Sequence, residues 1–396
     1  MKLTRYNSAT TKPITLSAVI AATLTTLSGC GGSSSSDTPD HAGDNRPFSE
    51  VIVDASSYSN YTYFNLDTGK TVDLTAEAAK SDTSWHIGFL RDKIILNGGA
   101  SGAGKVSAAL VAGQGDFYDS EDHAVANVFL NASKDSEEEH LLAQVDTSSL
   151  VYQQDRTAAA IQGTGDLVGN LIDQGWYYYN PATHSLSANP NNSWLIRSGE
   201  GNSYARFHTE SLEYDRLTGL TVSFALDIQS ADTDQFASSG LFTTTIPATG
   251  GSSCFDFDTN TAVDCTNEAW DMKLEIKGRE WTIWTNGGVS GGGEGGAFGP
   301  FTTEEASVYT SGHLSPAGTS FDSHYTQDRS AGVFLDFPWY EYDLEGRHKL
   351  WPNYRVYLID TDSTNPDANQ YRLQITNYYS DAGVSGHPNI RYILNR

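Results

Sequence analysis

Two passages of this chain repeat one another, and any fold it adopts must accommodate both copies. Around Trp85 the sequence reads SWHIGFLRDKIILNGGASGAG, and around Trp270 it reads AWDMKLEIKGREWTIWTNGGVSGGG. Each copy opens an alternating stretch on a Trp and closes it with Asn-Gly-Gly-x-Ser-Gly. Two further segments recur: 175–186 (GWYYYNPATHSL) resembles 338–350 (PWYEYDLEGRHKL), and 194–213 resembles 357–379. Matching elements in one order, with insertions between them, mean a duplicated domain and not a short-period solenoid. Residues 51–229 and 254–396 are therefore expected to form two β domains, with the Ser-, Thr-, Gly- and Asp-rich stretch 230–253 as the linker.

Composition favours strands over helices. The chain has 21 Tyr, 16 Phe, 8 Trp and 37 Gly against only 2 Met. Alternation bounded by Gly, Asn, Asp and Ser is widespread, as in 221–228 (TVSFALDI) and 354–359 (YRVYLI). Short helices are expected only at 75–80 and 137–144. The predicted fold is all-β, two tandem antiparallel domains built from consecutive hairpins. With 24 Lys and Arg against 49 Asp and Glu, neither nucleic acid nor an anionic membrane surface is an expected partner.

The N-terminus carries an address. Lys2 and Arg5 precede a short apolar run, 14–27, that ends in Leu27-Ser28-Gly29-Cys30. The run is too short to span a membrane and ends in small residues, which marks 1–29 as a signal peptide. A Cys after Leu-Ser-Gly resembles a bacterial lipobox, so Cys30 is the expected lipidation site, and Gly31 after it points to the outer membrane. The stretch that follows, to about residue 50, is small and polar and is expected to be a flexible tether. With Cys30 lipidated, Cys254 and Cys265 remain, and an even remainder in an oxidising compartment implies a disulfide.

The ordered motifs resemble a known family. Residues 53–58, 63–70, 85–89, 97–102, 176–179 and 205–213, echoed at 255–260, 270–274, 286–291, 339–342 and 371–379, look like the HmuY family of bacterial surface lipoproteins. The resemblance implies an all-β fold whose loops grip haem (haem b) by His axial ligands. It also implies a non-enzymatic role in iron acquisition, with haem passed to a TonB-dependent outer-membrane receptor. In the family the later ligand lies just after the Trp-aromatic strand. Here His184 follows Trp176 and His348 follows Trp339, so both are candidate iron ligands. For the earlier ligand the choices are His123 and His140, or His313 and His324. Distance from the Trp favours His140 and His313. Arg347 and Lys349 flank His348 and are candidate propionate contacts. Tyr177, Tyr178, Tyr179, Tyr340 and Tyr342 flank the same loops. His86, His208 and His387 read as structural or surface residues. An HmuY-like scaffold serving adhesion, or association with a receptor, is the alternative reading.

Three other motifs point to chemistry that their surroundings do not support. Gly99 to Lys105 approaches a phosphate-binding loop, but Val106 stands where Ser or Thr is needed. Ser290 sits in nucleophile-elbow spacing, but the other copy has Ala103 where the closing Gly is needed after Ser101, and no helix is expected after either. Asp256-Phe-Asp258-Thr-Asn260 begins like a calcium loop, yet Thr261 replaces the Gly and Asn267 the bidentate Glu. Structural calcium stays open there or within 360–367.

Overall fold

The computed structural model describes residues 47–120 and 122–395. The signal peptide, Cys30 and most of the proposed tether lie outside the described residues. Strands dominate, and the helices are short. Residues Ala76–Ser81 form one of them, opened by the Thr75 hydroxyl, which accepts from Ala78 N–H; Glu138–Leu142 forms another. Among the described residues no helix is long and apolar enough to cross a membrane.

Each copy supplies a front part and a rear part. The front parts, 47–155 and 238–328, hold the Trp85 and Trp270 motifs. The rear parts, 156–229 and 329–395, hold the Trp176 and Trp339 motifs. Each front part builds a four-stranded antiparallel sheet of its own. In the first, Lys70–Val72, Thr62–Asn65, Ile87–Leu90 and Lys93–Leu96 lie in that order. In the second, Thr261–Val263, Gly251–Asp256, Met272–Lys277 and Glu280–Thr285 repeat the arrangement.

The five-stranded sheets cross the boundary expected between the copies. One runs Ser49–Ile52, Ser385–Leu394, Gln370–Tyr379, Val356–Asp360, Ser107–Ala112, pairing Ser49 with Tyr392 and Ser107 with Asp360. The other runs Ser238–Ile246, Gly219–Gln229, Tyr204–Asp215, Asn192–Arg197, Gly296–Thr302, with Ile196 opposite Ala297. Thus the first front part closes on the second rear part, and the first rear part on the second front part. The sheets define two bodies, 47–155 with 329–395, and 156–328. These replace the expected grouping into 51–229 and 254–396. The reason is physical: duplicated copies present equivalent edges and apolar faces, so exchange of halves satisfies the same pairing as closure within a copy.

Each body packs its five-stranded sheet on its four-stranded one. In the first, Phe64, Ile87, Phe89 and Leu96 meet Tyr357, Ile359, Leu373, Ile375 and Ile390. In the second, Phe255, Met272, Leu274 and Ile283 meet Trp194, Ile196, Phe207, Val222 and Phe224. The residues that carry the chain from front to rear, Arg156–Ala158 and Arg329–Ala331, pair antiparallel with each other where the bodies exchange. Arg156 is ion-paired there with Asp336 at 2.7 Å.

The expected linker is also revised. Residues Ser238–Ile246 are a strand in register with Gly219–Gln229, and only 230–237 is connection. Its Thr-rich outer face forms hydroxyl pairs, Thr221 with Thr245 and Ser223 with Thr243, while Phe242 and Ile246 are buried. Thr is a strand former that composition alone takes for a loop residue.

Candidate functional site

The repeated motifs are first of all structural. The Asn97 amide donates to the carbonyls of Asp82 and Trp85 and accepts from Gly104 N–H. Asn286 does the same to Glu268, Trp270 and Gly293. The second glycine of each turn has positive φ, and a Cβ on Gly99 or Gly288 would stand about 2 Å from the Asp155 or Asp328 carbonyl oxygen. Only glycine fits. No helix follows either turn; the chain continues as Ser107–Ala112 and Gly296–Thr302. The phosphate-loop and nucleophile resemblances are therefore accidents of a glycine-rich corner. A second matching pair was not read from the sequence. Asn189 and Asn353 each donate backbone N–H to the carbonyl of the preceding motif Trp (Trp176 or Trp339) and side-chain N–H to that of Gly175 or Pro338. Their similar but unequal spacing from that Trp was the available signal.

The two rear-part histidines occupy equivalent places. His184 lies at the tip of the hairpin joining Tyr177–Asn180 to Ser185–Ala188. His348 lies at the tip joining Tyr340–Tyr342 to Leu350–Pro352. Both are exposed, and both hold a φ of 56°. The Nδ1 of His184 is 2.6 Å from the Tyr179 hydroxyl, and that of His348 is 2.7 Å from the Tyr342 hydroxyl. With the proton on Nδ1, the ring donates to the hydroxyl oxygen and Nε2 keeps its lone pair for a metal. Arg347 and Lys349 are exposed beside His348, and the Lys349 ammonium lies 5.9 Å from the centre of the Trp351 ring. Of the flanking tyrosines, Tyr178 is buried and Tyr340 donates to Asp92, so the cluster is partly core.

The front-part candidates sit differently. The Nδ1 of His313 is 2.9 Å from the Gln229 amide nitrogen, its Nε2 is 3.8 Å from Asp234, and its ring stacks on Tyr204. His140 is a helix residue with Nε2 3.4 Å from Glu137. Sheet membership regroups these residues: His348 shares a body with His140, and His184 with His313. Among the described residues, no hydrogen bond or ring contact joins any two of the four. His86 is buried, accepts from Leu66 N–H at 3.1 Å, and has its pKa lowered by burial, opposed by Asp67. It is a structural residue. His208 and His387 pair with Glu210 and Asp54.

Two clefts are formed elsewhere. One, a narrow cleft, lies near the exchange point among Tyr61, Lys93, Arg329, Phe334 and Trp339. The other, about 860 Å³ and open to solvent, includes Arg206, Asp227, Phe236 and Tyr309. Neither is lined by a histidine.

Residues 57–225 match the HmuY protein family. The match falls within one front part and one rear part that are consecutive in sequence. Among solved structures, the chain is similar to a Bacteroides vulgatus protein described as HmuY-like and heme binding, at 11% identity and a TM-score of 0.28, covering 88% of this chain and 91% of that one. A Bacteroides fragilis protein described as a lipoprotein is similar at 11% identity and a TM-score of 0.29, covering 90% and 94%. The apo HmuY analog of Tannerella forsythia is similar at 9% identity and a TM-score of 0.29, covering 88% and 96%. No curated protein matches the chain.

Proposed function

We propose that this chain binds haem without catalysing a reaction, as a lipoprotein anchored through Cys30 at the outer membrane, and passes it to a TonB-dependent receptor. The observation that carries the reading is the matched pair of hairpin-tip histidines. Each is exposed, and each has one ring nitrogen held by a tyrosine hydroxyl. An axial imidazole needs a held ring with one nitrogen left for iron, and the contact gives this when Nδ1 carries the proton and donates it to the tyrosine oxygen. The HmuY match and the heme binding ascribed to one similar protein support it. His348 is the favoured ligand, because Arg347 and Lys349 beside it can neutralise propionates, whereas no basic residue adjoins His184 in sequence. Its partner comes from the same body, where His140 is the candidate. His313 would have to release Gln229 to serve with His184.

Hemin added to the mature apo protein should give a saturable, sharpened Soret band with low-spin features. His348→Ala should weaken or shift that band, and His184→Ala should change it less. An unchanged spectrum for His348→Ala would move the ligand elsewhere. No saturable hemin binding by the wild type would end the haem reading in favour of an adhesive or receptor-associated scaffold.

A further inference from the structure

The two bodies differ most informatively at one corner, where the second front sheet meets the loop between Asn192–Arg197 and Tyr204–Asp215. In the second body, carboxylate oxygens of Asp256, Asp258 and Asp271 lie within 4.8 Å of one another. Asp271 is buried, with Oδ1 accepting from Gly199 N–H and Oδ2 from Phe257 N–H. Asp256 accepts from the Thr259 backbone and hydroxyl. The Ser203 side chain is fully buried, and its Oγ, beside Asp258, makes no hydrogen bond of normal geometry. The nearby charges that act on Asp271, from Asp258 and Glu200, are negative.

The first body shows what the same corner looks like when it is balanced by protein groups. Leu66 N–H donates to His86 Nδ1 there, as Phe257 N–H donates to Asp271. His86 therefore stands in for Asp271, Asn65 for Asp256 and Asp67 for Asp258. Asn369, just before the strand Gln370–Tyr379, stands where Ser203 precedes Tyr204–Asp215. The single carboxylate, Asp67, receives hydrogen bonds from Asn369 and Tyr371, both at 2.8 Å, and His86 Nε2 lies 3.8 Å away. One copy gathers donors around one acid. The other gathers three acids and a buried hydroxyl that makes no hydrogen bond of normal geometry to them, all hard oxygen ligands.

We infer that Asp256, Asp258, Asp271 and the Ser203 hydroxyl form a binding site for a divalent cation of the calcium class. Calcium fits better than magnesium, because the oxygens come from three separate chain segments and Asp258 is open to solvent, which suits a larger, flexible coordination shell. The Cys254–Cys265 disulfide closes the loop that carries Asp256 and Asp258, and so limits the conformations from which they must be gathered. The site joins the second front part to the first rear part across their exchanged interface. Its occupancy should therefore stabilise that body.

The test uses the mature chain, stripped with chelator and titrated with calcium chloride alone. Calorimetry should show about one site per chain in the micromolar-to-millimolar range, with a rise in thermal midpoint that magnesium does not match. Asp258→Asn, at an exposed position, should weaken binding by roughly tenfold or more. Asp67→Asn, its counterpart in the other body, should leave binding unchanged. Absence of heat and of any midpoint shift at millimolar calcium would overturn the inference. So would calcium binding that survives Asp258→Asn, or stabilisation by acid alone with no calcium effect, which would mean a shared proton balances the cluster. Hemin binding is a separate readout, so this site and the haem reading can fail independently.

Discussion

Asn97 and Asn286 each tie a glycine-rich turn to the start of their Trp strand through three hydrogen bonds. Replacing either with Ala strands buried backbone partners, and urea denaturation should report a loss of about 1–3 kcal/mol. The neighbouring acids give a pH signature. Asp155 accepts from Leu96 N–H and the Ser101 hydroxyl, and Asp328 from Ala160 N–H and Thr285 N–H. Burial outweighs these bonds and pushes both carboxyls from 3.8 up to about 6. The folded state therefore holds protons that the unfolded chain has released. Their contribution is fully present below 3.8 and is lost as pH rises through about 6. Asp271, pushed up to about 8 by burial first and by its acidic neighbours next, extends the decline unless a cation takes the place of the proton. Thermal midpoints measured with chelator across that range should fall with rising pH. Added calcium should restore most at the alkaline end.

Individual residues also mark how much the sequence could say. The recurrence of His184 and His348 was legible, because sequence preserves a position on a hairpin even where the surroundings drift. Their tyrosine partners were not, because a hydroxyl five or six residues away reaches the ring only after the hairpin closes. The cation corner was half legible. Asp256 and Asp258 stood in a broken calcium-loop pattern, but Asp271 and Ser203 arrive through strand pairing and a loop from another part of the chain.

At the scale of elements, the linker that proved to be a strand makes the sharpest test. Phe242 is buried and stacks on Phe255 with ring centroids 4.8 Å apart. A linker residue would tolerate truncation, whereas Phe242→Ala should cost about 3–5 kcal/mol by chemical denaturation. The disulfide between Cys254 and Cys265, expected from cysteine count, is formed with Cα atoms 5.3 Å apart. It staples Gly251–Asp256 near its pairing with Thr261–Val263. Replacing both cysteines with Ser should cost about 2–4 kcal/mol, because the closed loop is short. Alternation marked strands such as Gly219–Gln229 and both expected helices formed, but Ser238–Ile246 and the short helices Ala126–Asn131, Thr303–Ser307 and Val333–Asp336 were not anticipated. Periodicity could not reveal which strand lies beside which, since an edge carries no label for its partner.

For the whole molecule, duplication was legible and exchange was not. The family match at 57–225 follows chain order, while the sheets join each front part to the rear part of the other copy. This arrangement predicts the outcome of a single cut. A protease nick engineered within 230–237 should leave two pieces that still elute as one species in native gel filtration, because each piece holds strands in both five-stranded sheets. Pieces that separate without denaturant would show that each copy closes on itself.

The pairing of Ser49–Ile52 with Ser385–Leu394 also bears on how the chain comes into being. The first strand among the described residues has to wait for the last before its sheet can close. At ordinary synthesis rates that interval is on the order of tens of seconds. During it, the first front part carries an apolar face and open strand edges that a neighbouring nascent chain could capture. The second body suffers no such delay, because its parts are consecutive. Newborn chains should therefore mature in two stages, with 156–328 protected first and the outer segments later.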